Sequence, residues 1–270
     1  MGRAAYDMTG RVDVTRPMQG GASPLSRIET AMTGLPRSFG VERSVKLSSN
    51  RASIGRRLYS IPMAALGPDP RDGLKRFLDS LGAPAAAHRL LTPFAGAAAH
   101  LHAGAEEGGR DDVVKVYLEF STPPPRDADL VFLAAKWNAD GDCLRSDYRA
   151  RDAACLPDLL REVADAAVRE SLLALAKHAA TRTGAPAVLA VDDHGTPRRS
   201  VDVNFYDANL TLADVADIVT DLFEVLGPGA AEADKFLATH GDRVIGHVAA
   251  GCGRDGARFA TIHFGAEEGP

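Results

Sequence analysis

In the segment Asp112-Val113-Val114-Lys115-Val116-Tyr117-Leu118-Glu119-Phe120, Lys115, Tyr117 and Glu119 alternate with Val114, Val116, Leu118 and Phe120. A strand sends successive side chains to opposite faces, so this segment carries an ammonium, a phenol and a carboxylate on one face and apolar groups on the other. The pattern recurs at Arg57/Tyr59, at His100/His102/Glu106, at Asp202/Asn204/Tyr206 and at His247. A cation and a phenol two residues apart can converge on one phosphate-sized anion, and Lys136 adds a further cation. Glu119, Asp202 and the imidazoles of His102 and His263 are groups that can take or give a proton. Lys and Tyr also populate the solvated face of an open antiparallel sheet, but repetition over several strands favours a sheet rolled around a polar cavity.

Three other groupings suggest different chemistry. His100 and His102 with Glu106 have the residue types of a mononuclear Fe, Mn or Zn shell, with His247 or His263 as a further ligand. The spacing resembles the first half of a cupin metal motif, whose second half is missing. Asp214, Asp217 and Asp221 fall opposite the apolar stripe of Leu212, Val215, Ile218, Val219, Leu222 and Leu226, which makes them a solvated helix face. Gly251-Cys252-Gly253-Arg254-Asp255-Gly256 lacks the features of a P-loop or dinucleotide fingerprint and reads as a hairpin turn.

The chain has 270 residues, 45% hydrophobic and 25% charged, with a formal net charge of −5. One core of this size can form a single globular domain, and the acidic balance argues against non-specific nucleic-acid binding. Cys143, Cys155 and Cys252 are odd in number and form no C-x-x-C, so neither a disulfide framework nor a zinc ribbon is expected and a reducing cytoplasm is the default setting. No apolar run reaches the roughly 20 residues that span a bilayer, and no signal-peptide core is expected.

The elements that must position these groups follow from periodicity. Residues 1–21 show none and read as a flexible tail, leaving 22–270 as a single domain of repeated helix plus strand-pair units. Helices are expected at 25–32, after Pro68-Asp69-Pro70, at 156–180 and at 212–226, the last with a Thr211/Asp214 capping box. Strands are expected at 54–61, 98–106, 113–120, 130–137, 187–192, 200–206, 244–249 and 258–264, with turns at Glu107-Gly108-Gly109 and Asp255-Gly256. Trp137 shares parity with Val131, Leu133 and Ala135 and belongs to the core. The stretch His102 to Gly108 matches His263 to Gly269 at all but one position. This echo hints weakly at duplicated units. The fold class is α/β of the α+β type: an antiparallel sheet with helices outside and a polar interior.

With the Lys-x-Tyr strand and this rhythm in view, the chain resembles the soluble ABBA-type, or PT-barrel, aromatic prenyltransferases, most closely over Ser200 to Phe264. The resemblance implies a closed antiparallel barrel ringed by helices with the active site in its lumen. It implies transfer of a prenyl group from an allylic diphosphate to an aromatic acceptor in secondary metabolism. Arg57, Lys115 and Lys136 would hold the diphosphate, and Tyr59, Tyr117 and Tyr206 would shield the carbocation. Glu119 or Asp202, with His102, would take the acceptor proton, and Asn204 and His263 would contact substrate. No cofactor is required, with Mg an optional companion of the diphosphate. The expected partners are these two small molecules, with no nucleic acid or membrane. Two alternatives are a metal enzyme using His100, His102 and Glu106, and a non-catalytic protein that binds a ligand, peptide or pathway partner.

Overall fold

The computed structural model describes residues 22–35, 38–107, 112–125 and 127–269. Residues 1–21, read above as a tail, and Gly108 and Gly109 of the expected turn lie outside these.

Ten strands form a closed barrel, antiparallel at every seam. They are β1 (Gly40–Ser48), β2 (Arg51–Pro62), β3 (His100–Glu106), β4 (Val113–Glu119), β5 (Leu130–Asn138), β6 (Cys143–Arg151), β7 (Ala187–Asp193), β8 (Arg199–Asn204), β9 (Ile245–Cys252) and β10 (Arg258–Glu268). Consecutive strands are neighbours, and β1 pairs with β10 to close the ring. Closure leaves no unpaired sheet edge and divides each strand by parity into lumen and outer residues.

The outer face is covered by two apolar layers. Helices α1 (Pro24–Thr33), α2 (Pro70–Ser80) and α3 (Ala85–Leu91) bury Ile28, Met32, Leu74, Phe77, Leu78 and Leu91 against Leu101, Val116, Leu118, Leu133 and Trp137. Helices α4 (Leu156–Val163), α5 (Ala166–Thr183), α6 (Ala216–Leu226) and α7 (Ala230–His240) cover Val45, Val188, Val203, Val248 and Ile262. No helix among the described residues is long and apolar enough to cross a membrane.

Several expectations need correction. The helix expected over 156–180 is two helices: Ala164 leaves helical geometry at φ −124°, ψ 153°, and the Asp165 side chain accepts from the Val168 amide, 2.9 Å, to start α5. Strands β1 and β6 and helices α3 and α7 were not anticipated. The Thr211/Asp214 box forms, with Thr211 N to Asp214 Oδ2 at 2.9 Å and Asp214 N to Thr211 Oγ1 at 3.2 Å. It caps a single 3-10 turn that leads into α6.

Candidate active site

The lumen is a cavity of about 460 Å³. Strict alternation carries Lys115, Tyr117 and Glu119 of β4 into it, while Val114, Val116 and Leu118 face the helices. His102 and Glu106 of β3 and Asp202 of β8 also line it, with Asn204 and Tyr206 at one mouth and His247 and His263 on adjoining strands. Tyr206 lies in a 3-10 turn just beyond β8 rather than on the strand itself.

Of the expected members on β2, Tyr59 lies elsewhere. Arg56, Leu58 and Ser60 line the lumen, and Arg57 borders it while its guanidinium reaches Glu29 of α1. The Tyr59 side chain packs outside, against Phe39, and its hydroxyl donates to Glu29 of α1 at 2.7 Å; Arg57 pairs with the same carboxylate. Lys136 points inward but is only 3% exposed, with its Nζ 2.9 Å from Asp193 Oδ1, so its charge is already matched.

One end of the lumen is cationic. Lys46, Arg56, Lys115 and Arg198 line it around a single carboxylate, Glu106. Arg56 Nη2 is 2.8 Å and Lys46 Nζ 3.6 Å from Glu106, and Lys115 pairs with it too. Burial by itself would raise the Glu106 carboxyl, but these three cations outweigh it and hold it well below the usual range. Arg198 lies 2.9 Å from Asp193. Counting Lys136, five basic side chains face two carboxylates, an excess of three basic groups, although burial lowers Lys46, holds Lys115 well below the usual lysine value and brings Lys136 down to about 8. Next to them Tyr117 and Tyr148 pack edge to face at 5.8 Å, Tyr148 does the same with Phe132 at 5.8 Å, and Phe132 with His102 at 5.7 Å. Burial pushes the Tyr117 phenol up to about 12 and that of Tyr148 well above its ordinary value, so both stay protonated.

The other end is built of carboxylates and imidazoles. Glu42 of β1 is 5% exposed. Tyr206 Oη donates to its Oε1, while its Oε2 lies 3.4 Å from both His247 Nε2 and His263 Nδ1. Burial favours the neutral acid, yet His247 and His263 hold Glu42 well below the usual carboxylate range. His247 Nδ1 lies 2.8 and 3.0 Å from the two Asp202 oxygens. Despite burial, Asp202 and Glu42 raise His247 to about 10, whereas burial and the neighbouring His247 charge push His263 down to about 4. A second line of contacts runs from Ser60 Oγ to His102 Nδ1, 2.6 Å, and from His102 Nε2 to Glu119 Oε2, 2.8 Å.

The metal shell expected from His100, His102 and Glu106 is not assembled. Both His102 nitrogens are engaged by Ser60 and Glu119, His100 is half exposed at the mouth with its Nδ1 3.5 Å from Glu119, and Glu106 is committed to its three cations. The lumen residues that sequence reasoning missed are Glu42, Lys46, Arg56, Phe132, Tyr148 and Arg198. For Glu42, Lys46 and Tyr148 the available signal is alternation on β1 and β6, blurred because both strands also carry charge on their outer faces; Arg56 lies on β2, Phe132 on β5 and Arg198 just before β8.

A closed ten-strand antiparallel barrel with helices outside and a polar lumen is the ABBA, or PT-barrel, fold. Solved structures share it. The chain superposes on 5-dimethylallyl tryptophan synthase from Streptomyces coelicolor, solved with DMASPP and Trp, with a TM-score of 0.59 and 15% identity over 83% of this chain and 78% of that one. PriB, solved as a binary complex with product diphosphate, gives 0.58 and 18% over 83% and 79%. NotF prenyltransferase gives 0.54 and 11% over 83% and 80%. No family model and no curated protein matches the sequence.

Proposed function

We propose that the chain transfers a prenyl group from an allylic diphosphate to an aromatic acceptor. The observation that carries this reading is the division of one lumen into a cationic half and a carboxylate half with aromatic rings between. The structural neighbours, among them proteins named as a prenyltransferase and a dimethylallyl tryptophan synthase, support it through their shared fold.

A bound diphosphate ester would favour the charged forms of the buried lysines, so Lys46, Arg56, Lys115 and Arg198 would hold the leaving group. The allylic C–O bond breaks and its electron pair leaves with the diphosphate. The resulting cation lies against the faces of Tyr117, Tyr148 and Phe132, whose π electrons stabilise positive charge. The acceptor ring attacks to form the new C–C or C–heteroatom bond, and its proton passes to Glu42. Glu119 with His102 and Asp202 with His247 orient and drain this end. Asn204 and Tyr206 border the acceptor entrance. Tyr59, outside the barrel, and the Arg57 guanidinium are engaged by Glu29 of α1. Because an excess of basic side chains lines this end, transfer is expected to proceed without added Mg.

The test is incubation of the purified chain with dimethylallyl or geranyl diphosphate and a panel of indoles and phenols, in buffer with and without Mg, followed by mass spectrometry. A prenylated product and release of diphosphate are expected. Absence of both, together with no binding of inorganic pyrophosphate, refutes the reading.

A further inference from the structure

The contacts within the carboxylate half of the lumen are those of a ligand set. Glu42, His247 and His263 offer one oxygen and two nitrogens that all lie within 4.8 Å of one another. In a tetrahedral site with bonds of about 2.1 Å, neighbouring donors stand about 3.4 Å apart. The separations from Glu42 Oε2 to His247 Nε2 and to His263 Nδ1 are both 3.4 Å.

The surrounding groups fix two of the three donors. Asp202 grips His247 Nδ1 and so directs Nε2 at the centre, the arrangement by which a carboxylate orients a metal-bound imidazole. Tyr206 holds Glu42 Oε1 and leaves Oε2 to face the two rings. His263 Nδ1 is buried and makes no hydrogen bond; its ring stacks on that of His247 at 3.8 Å with 19° between the planes, so His263, unheld at Nδ1, must turn out of the stack to aim that nitrogen at an ion shared with His247. All three side chains line the lumen, so a fourth position opens onto the cavity.

We infer that Glu42, His247 and His263 bind one divalent transition-metal ion of borderline softness, zinc foremost, and that the ion blocks the acceptor half of the lumen. Two imidazoles and one carboxylate suit zinc, cobalt or iron better than magnesium or calcium. Binding of the ion at His247 Nε2 would release any proton on that nitrogen to solvent. No electron transfer is involved. A bound ion occupies the carboxylate assigned above to the acceptor proton, so zinc inhibits and a chelator relieves. That consequence rests on the proposed transfer, whereas the site itself does not.

The chelator-treated full chain is titrated with ZnCl2 and, for a visible signal, with CoCl2. One equivalent is expected to bind, with at least tenfold weaker binding in His263→Ala and in Glu42→Gln and unchanged binding in His100→Ala. X-ray absorption of the zinc-loaded wild type needs no variant and is expected to show two imidazoles in an N/O shell at about 2.0–2.2 Å. Less than about a tenth of an equivalent bound after reconstitution, affinity indifferent to both His263→Ala and Glu42→Gln, or a shell without imidazole overturns the site. Since these readouts need no turnover, zinc binding without any transfer product counts against the proposed reaction and leaves the site standing. Transfer that persists at saturating zinc overturns the blocking.

Discussion

Arg56 Nη2 of β2 lies 2.8 Å from Glu106 Oε1 of β3, inside the lumen and among the cations that would receive a diphosphate. The site therefore holds one anion of its own. Glu106 also pairs with Lys46 and Lys115, and it screens three positive groups that would otherwise repel one another in the barrel.

Glu106→Gln is accordingly expected to destabilise the free protein and to sharpen its response to pyrophosphate. The Glu106 side chain is 31% exposed, so the loss should be about 1–3 kcal/mol, less than for a fully buried pair. Urea unfolding measures it. Pyrophosphate should raise the Tm of Glu106→Gln more than that of the wild type, because ligand now supplies the missing negative charge. An equal or smaller rise shows that Glu106 does not occupy the anion's place.

Arg56 and Arg57 are neighbours in sequence on β2, but their guanidinium groups part: that of Arg56 meets Glu106 in the lumen and that of Arg57 meets Glu29 of α1. Arg56→Ala should weaken pyrophosphate binding about tenfold to a hundredfold, from the loss of about 1.5–3 kcal/mol of charge-assisted hydrogen bonding. Arg57→Ala should leave it within about twofold. Isothermal titration of the two variants decides the matter, and the reverse order places the wrong residue in the site.

That pair also shows what the sequence could and could not convey. On β4 the polar and apolar residues alternate from Val114 to Glu119, so spacing alone puts Lys115, Tyr117 and Glu119 on one face, the one that lines the lumen. On β2 both faces are polar in part, with Arg56 inward and Arg57 half exposed beside Glu29, and parity loses its anchor. The same ambiguity hid β6, where Arg145, Arg149 and Arg151 bind Asp127, Asp129 and Asp147 while Tyr148 points inward. Glu42 was missed because β1 was missed. Its chemistry comes from His247 and His263, more than 200 positions away, and only closure of β1 on β10 brings them together. The break between α4 and α5 was legible in principle: Asp165 is an N-cap residue type inside an otherwise helical pattern.

Asp193 and Lys136 form a buried ion pair that also engages Ser146 and Arg198. Asp193→Asn leaves Lys136 buried without its carboxylate and is expected to cost about 3–5 kcal/mol. Lys136→Met leaves Asp193 with Arg198 and should cost about 1 kcal/mol. Burial alone would raise the Asp193 carboxyl, yet Lys136 and Arg198 bring it down to about 2 from an unperturbed 3.8. A carboxylate lowered in the folded state contributes stability that is complete above the unfolded value and is lost as pH falls through the folded one. Wild-type stability should thus decline between about pH 4 and 2, and the Asp193→Asn variant should lose less over that window. Chemical denaturation at a series of pH values reads both effects.

Gly246 is the close-approach point beneath the acceptor end. A Cβ there would collide with Glu42 Oε1 and would lie 2.6 Å from the Tyr206 ring. Gly246→Ala must therefore push Glu42 or Tyr206 aside, with an expected cost of about 1–3 kcal/mol from overpacking. The consequence for chemistry is sharper than that for stability. Glu42 Oε1 loses the Tyr206 hydrogen bond that orients the carboxylate, while the cationic half, built from other strands and from the far end of β1, is untouched. Pyrophosphate affinity should stay within about twofold of wild type, whereas prenyl transfer should fall at least tenfold, since a misplaced base loses much of the 10²–10⁴-fold that positioned proton transfer contributes. Parallel measurements of pyrophosphate binding and of product formation on one preparation of Gly246→Ala separate the two halves of the lumen. Equal loss of both would mean that the halves are not independent and that Glu42 positions the diphosphate as well.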